Sequence, residues 1–153
     1  MTIARFPVPP VVKMVTVRAT PARAFEIFAR DIARWWPLAT HHIAPDPVEC
    51  CIEPYVGGRV FERAANGEET PWGVVLAYTP PQRLSFSWFV GIAPEQAQQI
   101  DLRFAPEGPG TRVELTHSGW EKLGDAAAAL RERYDRGWAT VFERYAEYVN
   151  SAT

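Results

Sequence analysis

The sequence predicts an α+β domain with one strand, two short helices, six further strands and a long C-terminal helix, its antiparallel sheet wrapped around that helix. Three observations predict it. A β-branched run opens the chain, short segments between turn dipeptides fill its middle, and an amphipathic stripe at helical spacing closes it.

Val11 to Arg18 (VVKMVTVR) alternates well enough to be the first strand. Thr20-Pro21 then supplies an N-cap followed by proline at the first helical position. Phe25, Phe28 and Ile32 recur at helical steps, so Pro21 to about Trp36 reads as one helix or two short ones. Asp31 is a candidate cap for the second piece, and Pro37 stops it. After a loop through His41, His42, Pro45 and Pro47 come the six strands: Val48–Glu53, Arg59–Ala64, Trp72–Thr79, Arg83–Val90, Gln98–Phe104 and Thr111–Ser118. Gly57-Gly58, Asn66-Gly67, Pro80-Pro81 and Gly108-Pro109-Gly110 punctuate them. From about Leu123 to Val149, Leu130, Tyr134, Trp138, Val141 and Tyr145 form one stripe, with Arg131, Glu132, Arg136 and Glu143 facing away. That pattern marks a long amphipathic helix.

The totals bound the function. At 153 residues the chain is about one domain long, read as an extended lead-in over residues 1–10 and a single domain over 11–150. A net charge of -2 without any basic block argues against nucleic acid as partner. No apolar run is long enough to insert into a membrane, and no signal-peptide core follows Met1, so the cytoplasm is the expected location. Two adjacent cysteines give no disulfide framework. Six tryptophans, several beside glycines, remain to be placed. Each buries roughly 150–250 Å², so they fill a core or line a cavity.

Specific phrases recur in family order over nearly the whole chain: Val15 to Phe25 (VTVRATPARAF), Gly57 to Val60 (GGRV), Trp72 to Val75 (WGVV), Pro80 to Leu84 with Ser87-Trp88, Gly110 to Leu115 (GTRVEL), and Gly137-Trp138. On these the chain resembles the SRPBCC or START-like superfamily, in its activator of heat-shock-protein-90 ATPase homologue (AHSA-type) branch. The resemblance implies a helix-grip fold: a curved seven-stranded antiparallel sheet gripping the C-terminal helix, with a deep apolar tunnel between them. Relatives bind lipids, sterols, polyketides and plant hormones, and some are cyclases, hydrolases or dehydratases. The co-chaperones of the branch add a separate chaperone-binding domain for which this chain has no room.

Strand parity nominates polar residues for that interior. Val113, Leu115 and His117 share one face of their strand, so His117 points toward the tunnel. Family analogy turns the Val60 face inward and brings Glu62 with it; the opposite parity puts Phe61 inside and leaves Glu62 solvated. Glu62 near His117 would form an acid–base pair. Trp36, Trp72, Trp88, Trp120 and Trp138 are the candidate wall residues, with Tyr134 offering a phenol to orient a ligand. His41-His42 lacks the spacing of a metal pair and reads as surface loop. Cys50 and Cys51 point oppositely, one buried and the other exposed or at a contact. Arg63 and Arg103 could clamp an acidic ligand at the mouth, but read first as members of solvated ion pairs. No phosphate loop, G-x-S-x-G elbow or CxxC is present, and no metal or cofactor is expected.

The leading expectation is a binding protein for an apolar small molecule, as a monomer or homodimer. A cyclase/aromatase- or hydrolase-type enzyme using Glu62 and His117 is the first alternative. A stress- or chaperone-associated interaction protein is the second.

Overall fold

In a computed structural model, which describes residues 8–43 and 45–152, seven strands form one antiparallel sheet curled into a half-barrel. The strands are β1 (Val11–Val17), β2 (Pro47–Ile52), β3 (Arg59–Ala64), β4 (Glu69–Thr79), β5 (Arg83–Trp88), β6 (Gln98–Glu107) and β7 (Gly110–Ser118). They lie in the order β1-β7-β6-β5-β4-β3-β2. All neighbours but β1 and β7 are consecutive in the chain, so tight turns make most of the sheet. The fold class is the one the sequence predicts. The lead-in expected over residues 1–10 lies largely outside the described residues.

Between β1 and β2 run α1 (Pro21–Ala29) and α2 (Ile32–Trp35). Thr20 caps α1 as expected, its hydroxyl accepting from the Arg23 amide at 3.2 Å. Asp31 does not cap α2 with its side chain; it pairs instead with Arg23 and Arg30. Proline at 37 holds Trp36 extended (φ -61°, ψ 130°) and ends α2 there.

The long terminal helix departs from the sequence reading at its start. A 3-10 stretch, Trp120–Ala126, comes first, and Gly124 in a conformation open to glycine (φ 57°, ψ -128°) breaks it from α3 (Ala127–Ser151). Trp138, Val141, Phe142, Tyr145 and Val149 of α3 are buried against the concave face of the sheet. Leu130 and Tyr134 continue the stripe but are only half-buried.

Two strands run longer than expected. β4 begins at Glu69 although Pro71 lies inside it, because the β3–β4 register shifts between Val60 and Phe61, just where Pro71 stands opposite Phe61. β6 continues through Pro106 to the hairpin end. Gly73 marks the tightest approach in the sheet: a Cβ there would lie 1.8 Å from the Ser87 carbonyl oxygen. Among the described residues no helix is long and apolar enough to cross a membrane.

Candidate functional site

Four of the tryptophans meet between the sheet and α3. Trp36 leaves α2 in extended conformation, Trp72 points inward from β4, Trp88 ends β5, and Trp138 descends from α3. Trp36 touches all three others, with ring centroids 5.1 Å from Trp72, 6.2 Å from Trp88 and 5.8 Å from Trp138. Trp88 closes the cluster at 5.6 Å from Trp72 and 6.0 Å from Trp138. Trp35 adjoins the cluster from the core side, its ring 5.9 Å from Trp36, and packs against Phe28 and Tyr145.

Every indole N–H donates inside the protein. Trp35 bonds the Ile27 carbonyl, Trp36 the His41 carbonyl and Trp120 the His117 carbonyl, each at 2.9 Å. Trp72 donates to Glu62 Oε1 and Trp138 to His117 Nδ1, both at 2.9 Å, and Trp88 donates to the Tyr134 hydroxyl at 3.0 Å. Buried polar groups require such partners, and here they fix each ring's orientation.

Glu62 is fully buried, as the inward parity requires. Its Oε1 accepts from Trp72 and from the Ile43 amide at 2.6 Å, tying the loop before β2 to β3. Phe61 is buried too, though on the other face. Arg59 and Arg63 lie over its ring at 4.4 and 5.6 Å, so the choice between Phe61 and Glu62 is resolved by burying both. Cys50 is buried and Cys51 half-buried.

His117 is also fully buried and faces inward. Trp138 donates to its Nδ1, so Nε2 carries the proton and donates to Gln98 Oε1 at 3.1 Å. Trp120 stacks on the ring at 4.3 Å. Burial pushes the imidazole down to about 3, which keeps it neutral. The structure does not bring Glu62 and His117 together: three strands separate β3 from β7. Both ring nitrogens of His117 are engaged, so the acid–base pair expected from parity does not form.

Beside the indole cluster lies a cavity of about 500 Å³. Trp36, Trp72, Trp88 and Trp138 form its floor, and Leu130, Tyr134 and Arg133 of α3 line one side. Thr40, His41 and His42 line another, with Val90, Gly91 and Ile92 beyond β5. Of the residues nominated from sequence, Trp36, Trp72, Trp88, Tyr134 and Trp138 line this space. Val60, Glu62, His117 and Trp120 are buried outside its lining.

The His41-His42 loop is the site element that the sequence reading placed on the surface. His42 is exposed, but both histidines line the cavity. The Pro37 carbonyl accepts from the His41 amide at 2.9 Å, and Trp36 Nε1 holds the His41 carbonyl. Partial burial lowers the His41 pKa, while the Pro37 carbonyl favours the ring proton and offsets part of that effect. Burial raises the Tyr134 pKa, keeping the phenol protonated, although Trp88 and Arg133 act in the opposite sense. Arg63 pairs with Glu49 and Glu69, and Arg103 with Asp101. Among the described residues no group of three or more His, Cys, Asp or Glu side chains is placed to hold a metal ion.

Comparison with known proteins agrees with this architecture. An anthrahydroquino-γ-pyrone synthase, Txn09, solved as a complex with SUM, is 34% identical over 92% of this chain and 97% of its own, with a TM-score of 0.63. Two more distant structures share the fold. A protein from Mesorhizobium loti has 18% identity, coverage of 94% and 98%, and a TM-score of 0.71. The Aha1 dimer from Colwellia psychrerythraea has 16% identity, coverage of 94% and 97%, and a TM-score of 0.69. No curated protein sequence matches. Residues 18–150 match the family described as Activator of Hsp90 ATPase homolog 1-like protein, and with nearly the whole domain so matched, the chain belongs to that AHSA-type family.

Proposed function

We propose that this domain binds a planar, largely apolar aromatic molecule in the cavity beneath α3. The observation that carries the reading is the cavity of about 500 Å³ floored by four packed indoles. Its volume falls within the roughly 300–1,000 Å³ of small-molecule sites, which are mostly apolar with a few convergent polar groups. Here those groups are His41, Arg133 and the Tyr134 hydroxyl. Because the indole N–H groups are engaged within the protein, the floor offers ring faces and edges, which favour an aromatic guest by stacking. The relative at 34% identity is by its name a synthase of an anthrahydroquino-γ-pyrone, a polycyclic aromatic product. In this reading Trp36, Trp72, Trp88, Tyr134 and Trp138 touch the ligand, and Val60, Glu62, His117 and Trp120 support them.

Titration with 1,8-dihydroxyanthraquinone, followed by quenching of tryptophan fluorescence, tests the reading. Saturable quenching is expected, weakened at least tenfold in Leu130→Trp, which fills the cavity side without disturbing the buried floor. Absence of saturable quenching, or equal affinity in the variant, would refute it.

A further inference from the structure

We propose that the cavity is also a proton-transfer site, with His41 as general base and Tyr134 and Arg133 as the oxyanion-stabilising pair. This rests on the binding reading above and adds a substrate class: aromatic molecules with an acidic C–H or O–H conjugated to a carbonyl.

The tautomer of His41 follows from its neighbours. The Thr40 hydroxyl donates to the Pro37 carbonyl at 3.3 Å, so its oxygen is left to accept from His41 Nδ1, 2.8 Å away. With the proton on Nδ1, the lone pair lies on Nε2. That nitrogen has no hydrogen-bond partner among the described residues, and it faces α3 across a narrow gap. A methyl group at Gly137 would lie 3.9 Å from it. The His41 backbone is held at both its amide and its carbonyl, so the base is positioned before any ligand arrives.

The opposite wall supplies the complement. Tyr134 accepts from Trp88 Nε1, and its own proton has no acceptor among the described residues. Arg133, the residue before Tyr134 on α3, makes no ion pair among the described residues and lines the same space. A donor and a cation facing a base across one cavity are what enolate or phenolate formation requires. In the step, His41 Nε2 takes the proton, the C–H or O–H electron pair moves into the conjugated carbonyl, and the resulting oxyanion accepts from Tyr134 beside Arg133. Returning the proton to another atom completes an isomerisation or ring closure that needs no oxidant or reductant. Lowering of the His41 pKa by burial favours the neutral base. The charged and titratable groups facing it are Arg133 and Tyr134 on α3, His42 beside it, and Glu62 beneath the adjoining Ile43 amide.

Two measurements test the proposal. Long-range nitrogen-15 NMR of histidine-labelled protein should show His41 protonated on Nδ1 with Nε2 bare; the opposite tautomer overturns the assignment whatever binds. The second uses 5-nitrobenzisoxazole, a planar probe opened by proton removal. The base takes the ring C–H proton, the pair forms the nitrile, the N–O bond breaks and the electrons stay on a phenolate oxygen. Turnover should exceed that of free imidazole at equal concentration and fall by about 10²-fold or more in His41→Asn. Asn keeps a donor for Thr40, and the variant should still show saturable quenching by 1,8-dihydroxyanthraquinone. The wild-type kcat/KM should rise with a single pKa below the ordinary histidine value of about 6.5. Quenching without turnover, or turnover equal in His41→Asn, overturns the proton-transfer role and leaves the binding reading intact. Loss of quenching in the wild type sinks the binding reading and the substrate class, while the tautomer and the probe still decide the base.

Discussion

Acidification should destabilise this domain through one buried imidazole. His117 is fully buried, accepts the Trp138 N–H on Nδ1 and is pushed down to about 3 by burial. A proton added to Nδ1 would point at an N–H donor and abolish that bond. In the unfolded chain the same residue titrates near about 6.5. The folded value lies below the unfolded one, so the unfolded state takes up the proton first. Stability is therefore complete above about 6.5 and declines as pH falls from there toward the folded value. The slope is about 1.4 kcal/mol per pH unit, giving a loss of about 2 kcal/mol between about pH 7 and pH 5. Stopping at about pH 5 keeps most carboxylates ionised. The loss is a large share of the roughly 5–15 kcal/mol that holds a domain folded. Urea unfolding followed by tryptophan fluorescence, on the wild type and on His117→Gln, isolates the effect. Glutamine offers a carbonyl to Trp138 and an amide to Gln98 but carries no titratable proton. The variant is less stable overall, yet between the two pH values it should lose about 2 kcal/mol less than the wild type. His41 shifts in the same direction but is present in both proteins. Parallel stability curves, or an NMR titration of native His117 near its ordinary value, would refute the reasoning.

Three further outcomes follow from the packing. Glu62→Ala leaves the Trp72 indole and the Ile43 amide without their acceptor; it should cost about 3 kcal/mol by urea unfolding, and Glu62→Gln clearly less. Gly73→Ala drives a Cβ to 1.8 Å from the Ser87 carbonyl oxygen, so thermal unfolding should report a loss of about 3 kcal/mol. Tyr145→Phe removes the 2.7 Å bond to the Ala24 carbonyl that ties α3 to α1; a loss of about 1 kcal/mol is expected, and no loss would mean the bond contributes nothing net.

Strand parity carried the sequence reading a long way. Alternation in β7 alone places His117 inside, and the Thr20-Pro21 cap and the α3 stripe stand where local chemistry puts them. What parity cannot supply is the identity of a residue's cover. Phe61 is buried because Arg59 and Arg63 fold over it, a fact of side-chain packing that alternation does not encode. Proline is disfavoured inside a strand, and the register shift beside Pro71 is what lets β4 start earlier, at Glu69. The Glu62–His117 pair failed for a topological reason: inward-facing is a property of one strand, whereas proximity depends on the order of seven. His41 was missed because a loop's position is set by what it lands on. Its one local trace was Gly137, a helix position without a side chain opposite the ring.

The Trp36–Trp72–Trp88–Trp138 cluster makes this protein report optically on itself. With neighbouring centroids at 5.1 to 6.2 Å, the four indole transition dipoles couple, and excitation is shared among the rings. The cluster should therefore show a circular-dichroism couplet set by the relative tilts of its members. An occupant that moves any one ring changes the whole couplet; Trp35, 5.9 Å from Trp36, is coupled to the set through that ring. Replacing a single member should therefore erase more than a quarter of the signal.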